Sequence, residues 1–234
     1  MNLTSTLVRF VVMPATLLLA GVSISQPQSV AMPEKTRDNL MLVVRETIGA
    51  NKLDEVLTPT GKATVKLSDG REIEMEMATW EFIGDTHIRF AFDGPQMMLD
   101  ATPQDLAKLG VGNVDDALAL AVSNIKRVYG EPSAAPWVGG VMEVQGKSPD
   151  LDSSYFLDRE YWRALLRSHS EGLVVGVPKR GGLLYAPASD GKAVDGLKRG
   201  VARLHSTSGR LRVSSALYLF KDDKWSVFQA AIKQ

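Results

Sequence analysis

The fold class is decided by residues 72–83, which read EIEMEMATWEFI. An apolar side chain follows each of the first three glutamates, and this period of two is typical of a strand with one face on a core and the other in water. A tight turn at Ser68-Asp69-Gly70 joins this run to a shorter strand-like stretch, residues 63–67. Gly84-Asp85 makes another turn before residues 87–92. The sequence therefore predicts a three-stranded antiparallel meander.

Helical patterns surround this predicted meander. The strongest covers residues 114–129, where apolar side chains recur at helical spacing on one face. Asn113 is a good N-cap for it, and Gly130 with Pro132 ends it. Asp158 and Asp190 are N-caps of two later helices. Helices are predicted over residues 36–48, 103–110, 114–129, 159–167 and 191–204.

The second half mixes strands and helices in the same way. Its predicted strands cover residues 137–145, 155–157, 173–177, 183–186, 216–220 and 225–228. Strands in clusters with helices between them indicate an α+β fold rather than a parallel doubly wound sheet. We expect antiparallel sheets with packed helices, two mixed halves of similar size in one compact unit. The domain is predicted to cover residues 36–234, with a sub-boundary near residues 131–136 (EPSAAP).

The N-terminus has the organisation of a secretory signal peptide over residues 1–25. Arg9 precedes a 13-residue apolar run, residues 10–22, and small residues allow cleavage after Ser25 or after Ala31. An uncleaved anchor is the alternative, but a membrane span needs about 20 apolar residues. We expect an exported protein, periplasmic or secreted, with residues 26–35 as a disordered spacer and no membrane span in the mature chain.

Composition excludes several kinds of site. The chain has no cysteine, which excludes disulfides, thiolate nucleophiles and cysteine-bound zinc. Its three histidines, His87, His169 and His205, are too far apart in sequence for a local metal motif. The formal net charge is zero, which gives no electrostatic signature of nucleic-acid binding and no basic stripe for an anionic membrane. We predict no metal, no cofactor and no nucleic-acid partner.

Two patterns resemble catalytic motifs but lack other parts that those motifs require. Ser123 and Lys126 fit S-x-x-K, the motif of serine β-lactamases, yet Ser123 lies inside a predicted helix and no K-[ST]-G follows. A serine–histidine–aspartate set could be assembled from Ser168, His169 or His205, but no G-x-S-x-G is present. We therefore assign no nucleophile.

Residues 176–182, which read GVPKRGG, superficially resemble a phosphate loop. The spacing fails, because Gly182 stands where the motif requires lysine and no serine or threonine follows. A hairpin turn is the leading interpretation. The alternative is that Lys179 and Arg180, beside two glycines, contact an anion or a partner.

Aromatic residues are concentrated in the second half of the chain. Core packing explains them most simply, and a partly exposed recognition groove is the alternative. They are Trp137, Tyr155, Tyr161, Trp162 and Trp225.

Several segments together resemble the bacterial family of unknown function typified by the YtpQ proteins. The resemblance covers residues 36–228 and is carried by residues 90–93 (FAFD), 117–125 (ALALAVSNI), 155–158 (YFLD) with Trp162, and 175–184 (VGVPKRGGLL). Gly181 departs from the family, which more often has aspartate there, and so does the leader. The resemblance supports the α+β fold and implies no known activity. It singles out Asp93, Asn124 and Arg180 as polar positions.

The leading functional prediction is a non-enzymatic envelope accessory or binding module with an unknown protein or small-molecule partner. One alternative is a hydrolase acting on an envelope component, with its site around Asp93, Asn124, Arg180 and Tyr185. Another is a structural subunit of an envelope assembly, which predicts an open sheet edge. An enzyme requires that these polar groups converge on one cavity.

Overall fold

The described part of the chain contains two antiparallel sheets and a separate two-stranded ribbon. The computed structural model describes residues 31–67 and 69–232, so the predicted signal peptide and residues 26–30 of the spacer lie outside the described residues. In chain order the strands are β1 (Leu40–Glu46), β2 (Thr58–Pro59), β3 (Lys62–Lys66), β4 (Glu72–Glu76), β5 (Thr79–Glu81), β6 (Thr86–Asp93), β7 (Met98–Asp100), β8 (Ser133–Pro136), β9 (Met142–Gln145), β10 (Leu173–Lys179), β11 (Gly182–Pro187), β12 (Leu217–Lys221) and β13 (Lys224–Gln229). The α-helices of the described part are α1 (Pro103–Lys108), α2 (Val114–Tyr129), α3 (Arg159–Leu166) and α4 (Gly191–Thr207), and short 3₁₀ segments cover Arg37–Asn39, Pro149–Leu157 and Gly209–Leu211.

The first sheet has the strand order β1-β6-β5-β2, and β7 also pairs with β6. Leu42 lies opposite Phe90 and Val44 opposite Ile88, and all four side chains are fully buried. Because side chains alternate along a strand, the residues between them point to the other face of the sheet. That other face carries Arg45, which lies opposite His87.

The second sheet has the order β13-β12-β10-β11-β9-β8, and its central strands β10 and β11 are buried on both faces. One face packs on α4, where Val174 and Leu184 of the sheet meet Leu197 and Val201. Gly176 permits this contact, since a Cβ there would lie 2.4 Å from Val201 Cγ2. The opposite face joins the main core, to which the first sheet also contributes. In the described residues no helix is long and apolar enough to cross a membrane.

The predicted fold class is confirmed: the chain is α+β, with antiparallel sheets and packed helices. The helix over residues 114–129 has the predicted bounds, and Asn113 caps it by accepting a hydrogen bond from the Asp116 amide. The hairpin at the C-terminal end turns at Asp222 and Asp223, both in the left-handed region (φ 49° and 59°) that a two-residue hairpin turn requires. Gly200 marks close packing, because a Cβ there would lie 2.6 Å from the Trp137 ring.

The helix predicted over residues 36–48 is wrong, because residues 40–46 form β1 after a short 3₁₀ turn. Leu40 to Val44 are buried without a break. A continuous apolar run of this length has the same periodicity in a buried strand and in a buried helix.

Three strand predictions also need correction. Residues 72–83 divide into β4, which pairs with β3 in the ribbon, and β5, which pairs with β6 in the first sheet, so there is no simple meander in this described region. Residues 155–157 belong to a 3₁₀ segment rather than a strand. Residues 137–145 contain the turn between β8 and β9. The Trp137 amide donates a hydrogen bond to the Val141 carbonyl (2.9 Å) and closes this turn.

Two other predicted segments are partly described. Residues 131–136 contain β8, so this stretch joins the first-sheet half of the chain to the second sheet. Within residues 31–35 of the predicted spacer, Pro33 is buried and Lys35 Nζ lies 2.9 Å from Asp105 Oδ2. This part is held against the folded domain.

Candidate functional site: an arginine groove beside the first sheet

Asp93 and Asn124 hold the beginning of β1 in place. Asn124 is buried on α2, and its Nδ2 donates to the carbonyls of Arg37 (2.6 Å) and Leu40 (3.0 Å). We call this set the β1 brace; it consists of Asn39, Asp93, Asn124, Arg127 and Tyr129.

The remaining contacts complete the brace. Arg127 Nη2 donates to Asn124 Oδ1 (3.2 Å), and Asn39 Nδ2 donates to the Asp93 carbonyl (3.0 Å). The Tyr129 hydroxyl donates to the Asp93 carboxylate. Burial and the Asp93 charge raise the pKa of Tyr129 to about 12. These contacts join α2 and the end of β6 to the chain at the beginning of β1, so the brace acts as a structural tie.

Tyr185 lies in the core on β11. It is 3% exposed, and its ring stands edge-on to Trp162 at a centroid distance of 5.9 Å. Burial raises the pKa of its hydroxyl. Asp93, Asn124 and Tyr185 are therefore engaged in two different places, and the structure does not bring them together with Arg180 in any groove described below.

Arg180 lies in the turn between β10 and β11. Its amide donates to the Leu211 carbonyl (3.0 Å), and its carbonyl accepts from the Ser153 amide (3.0 Å). Gly181 is required here, because a Cβ would lie 2.6 Å from the Pro149 carbonyl oxygen. The neighbouring Lys179 forms an isolated bridge to Arg212. The turn is thus fixed beside residues 209–212.

These same residues form one wall of a shallow groove of about 560 Å³. The other wall comes from β1 and β6. We call it the arginine groove; its lining residues are Arg45, Glu46, Ile48, His87, Arg89, Gly209, Arg210 and Arg212.

Strand register places three of the basic side chains on one face. Arg45 lies directly opposite His87, and Arg89 follows His87 by two residues. Side chains two residues apart on a strand share a face, as do directly opposite residues of an antiparallel pair. The Arg45 and Arg89 guanidinium groups are therefore neighbours.

The arginine groove has more positive than negative charge. Arg89 forms an ion pair with Asp100, and Arg212 Nε donates to Glu46 Oε2 at 2.8 Å. His205 Nε2 lies 3.1 Å from the other oxygen of Glu46. In the described part of the chain no carboxylate forms an ion pair with the other two lining arginines, Arg45 and Arg210. The same is true of Lys179 and Arg180 in the adjacent turn.

Burial and neighbouring charges change the titration of the groove. Burial, followed by the charges of Arg180 and Arg89, lowers the pKa of Arg45 to about 10, and the charge of Asp100 opposes this shift. Arg45 is still charged at neutral pH. Burial, with the charges of Arg89 and Arg45, lowers the pKa of His87 to about 4. The His87 ring is held by Thr47, whose Oγ1 lies 2.8 Å from Nδ1.

Two guanidinium nitrogens in this region are buried without a hydrogen-bond partner in the described structure. They are Arg89 Nε and Arg180 Nε. A buried N–H that lacks a partner costs free energy, on the order of 1–3 kcal/mol for a typical group. Repulsion among the guanidinium groups adds to that cost. An anion in the groove would offset that repulsion, since guanidinium binds carboxylate and phosphate oxygens in a bidentate way.

A second groove, of about 610 Å³, lies between α2 and the beginning of α3. Ser123 and Lys126 of the S-x-x-K pattern line it. Lys126 is surrounded by Glu131 (3.0 Å), Glu160 (3.4 Å) and Asp158 (3.6 Å), and these partners raise its pKa despite partial burial. A lysine with a raised pKa is a poor general base, so the geometry does not favour a serine nucleophile here.

Other polar clusters are built as structural networks. Asp85 is buried and accepts from Ser214 Oγ (2.5 Å) and Tyr218 OH (2.9 Å), and burial raises its pKa. Ser214 is fully buried, which closes it to a substrate. Among the described residues no serine hydroxyl bonds a histidine, and no group of three metal-ligating side chains is present.

The aromatic cluster is mainly core. Tyr155, Trp162 and Trp225 are at most 4% exposed, whereas Trp137 is 38% exposed. Trp162 and Trp225 stand edge-on at 5.5 Å. Core packing therefore explains most of these side chains.

In comparisons with known proteins, no family model, no curated protein and no solved structure matches this chain. The resemblance to the YtpQ-like family stays a prediction from sequence. The function has to be inferred from the site itself.

Most of the arginine groove was not visible in the sequence. Lys179 and Arg180 were predicted as a possible anion contact, but Arg45, Arg89, Arg210 and Arg212 were not. The predicted helix over residues 36–48 concealed the pairing of β1 with β6, which places Arg45 beside Arg89. The alternation in residues 87–92 was the available signal, because it puts His87 and Arg89 on the face opposite Ile88 and Phe90.

Proposed function

We propose that the protein is an exported, non-enzymatic binding module whose binding site is the arginine groove, and that it binds anionic oxygen groups. One observation carries this proposal. Arg45 lies partly buried on the same strand face as Arg89, Arg210 and Arg212 line the other wall, and no carboxylate of the described residues forms an ion pair with Arg45 or Arg210. Such an arrangement of like charges raises the free energy of the folded protein. An anionic ligand compensates for it.

The side chains that line the groove support binding rather than catalysis. Its lining contains arginines, one glutamate and a histidine whose pKa is about 4. At neutral pH that histidine is uncharged, and Thr47 occupies its Nδ1. The groove supplies hydrogen-bond donors in a forked geometry, which recognise phosphate and carboxylate groups.

Phosphate titration calorimetry tests the proposal. We expect inorganic phosphate to bind the wild type, and Arg45→Gln and Arg210→Gln each to weaken binding at least about tenfold, because each removes a charge-assisted hydrogen-bond donor from the lining of the groove. Arg167→Gln is the matched control, since Arg167 is exposed at the end of α3. Equal affinities in all four proteins would contradict the assignment of the site.

Export is tested separately. N-terminal sequencing of the protein recovered from cells should begin at Gln26 or Met32, in the envelope or secreted fraction. A cytoplasmic protein that retains residues 1–25 would contradict export and leave the groove unaffected.

A further inference from the structure

Exposed aliphatic side chains surround the arginine groove. Ile48 lines it and is 74% exposed, and Leu211, between Arg210 and Arg212, is 48% exposed. Ile48 also lines an adjoining groove with Ile232, which is 54% exposed. A small soluble anion would neutralise the arginines but would leave these three side chains in water.

We propose that the arginine groove docks the protein on an anionic phospholipid surface. This inference rests on the proposed function and names the source of the anion. The arginines contact lipid phosphates, and Ile48, Leu211 and Ile232 enter the interface beside them.

Charge complementarity is the first argument for this occupant. Arg45, Lys179, Arg180 and Arg210 have no ion-pair partner in the described residues. Arg45 on β1 and Arg210 in the 3₁₀ segment line the groove, and Lys179 and Arg180 lie in the turn bridged to Arg212. A leaflet of anionic lipids presents phosphates side by side, so several arginines can each find one. Anionic surfaces attract basic side chains in this way within about a Debye length.

The shape and apolar rim are the second argument. The groove is shallow and open to solvent, so a broad anionic surface can reach it as well as a single ion. Interfacial binding combines apolar burial at the headgroup boundary with attraction to anionic lipid. Arg210 and Leu211 are adjacent and exposed in a short 3₁₀ segment, which presents both chemistries at one point.

Vesicle flotation tests the inference on the protein as the cell produces it. One set of vesicles contains phosphatidylglycerol in phosphatidylcholine, and the other contains phosphatidylcholine alone. Any lipid affinity of residues 10–22 is common to the wild type and all variants, so differences between them report on the groove.

We expect the wild type to bind the anionic vesicles and not the neutral ones. Arg210→Gln should lower partitioning about fivefold, the effect of one basic residue near an anionic surface. Ile48→Ser should also lower it severalfold. Both residues are exposed, so folding is expected to be unaffected. Arg167→Gln and Val138→Ser are the matched controls, exposed residues on other elements, and should bind like wild type.

The outcomes separate this inference from the proposed function. If phosphate binds in calorimetry but vesicles do not bind, the lipid inference is overturned and the anion site stands. Equal binding to both vesicle types also overturns it, as does sensitivity to Arg210→Gln without sensitivity to Ile48→Ser, which would indicate a site for soluble polyanions. If neither phosphate nor vesicles bind, both proposals fall.

Discussion

The β1 brace and the arginine groove lie at opposite ends of the same strand and differ in how completely their polar groups are paired. In the brace, the Asn124 side-chain amide donates to two backbone carbonyls and accepts from Arg127, and the Asp93 carboxylate accepts from the Tyr129 hydroxyl. In the groove, Arg89 Nε has no partner in the described structure, and Arg45 forms no ion pair with a carboxylate there. The brace binds backbone carbonyls at the beginning of β1, which indicates a role in folding. The excess of positive charge in the groove favours an anionic ligand.

Asn124→Ala is expected to have the largest effect on stability. It leaves the buried Leu40 carbonyl and the Arg37 carbonyl without their donor, which should cost about 3 kcal/mol of unfolding free energy. Urea denaturation measures this change, and phosphate affinity should not change. Ser123→Ala, at the exposed neighbouring position on α2, is the control and should change stability by less than about 0.5 kcal/mol. A catalytic or binding role for Asn124 would instead reduce ligand binding at nearly unchanged stability.

The second-largest expected effect is a dependence of stability on pH, caused by His87 in the arginine groove. The pKa of His87 is about 4 in the folded protein and about 6.5 when unfolded. Because the folded pKa is depressed, the unfolded chain binds the proton first. Stability contributed by neutral His87 is therefore present above pH 6.5 and is lost as the pH falls toward 4.

We expect the wild type to lose about 2 kcal/mol more than His87→Gln between pH 7 and pH 4, after allowance for solvent screening. Urea denaturation at both pH values measures the difference. Identical pH profiles would show that neither burial nor the charges of Arg89 and Arg45 lower the pKa of His87 in the folded protein.

Tyr129→Phe should have a smaller effect on the brace. It removes the hydroxyl that donates to Asp93, and a partly exposed hydrogen bond of this kind contributes about 1 kcal/mol. Thermal or urea unfolding measures it, with Val128→Ala, an exposed neighbour on α2, as control. A loss above about 3 kcal/mol would mean that Asp93 is more deeply tied to the fold than its contacts indicate.

Elements with local signals were predictable from sequence. Asn113 and Gly130 bound α2, Asp158 and Asp190 cap their helices, and Asp222-Asp223 turns the last hairpin. These signals act within a few residues of the element they define, so one sequence is enough to read them.

The arginine groove could not be predicted from local sequence signals, because its walls come from segments that are far apart in the chain. Its walls come from residues 45–48, 87–89 and 209–212, which are joined by strand pairing and by the bridge from Lys179 to Arg212. A net charge of zero concealed the local excess, because acidic residues such as Glu72, Glu74 and Glu76 are placed elsewhere, exposed on β4. The predicted candidates Asp93 and Asn124 do not line the groove. Their polar groups make hydrogen bonds that hold the beginning of β1 in place.

The central claim is that the groove contains excess positive charge that a bound anion neutralises. The most direct test measures the smallest of the expected changes in stability. The measurement is the unfolding free energy of the wild type and Arg45→Gln, with and without inorganic phosphate. Without phosphate we expect Arg45→Gln to be as stable as wild type or up to about 1 kcal/mol more stable, because repulsion from Arg180 and Arg89 is relieved. At a phosphate concentration 100 times its dissociation constant the wild type should gain about 2.7 kcal/mol, and the variant much less. A variant that is less stable without phosphate and gains as much from it as wild type would contradict the account.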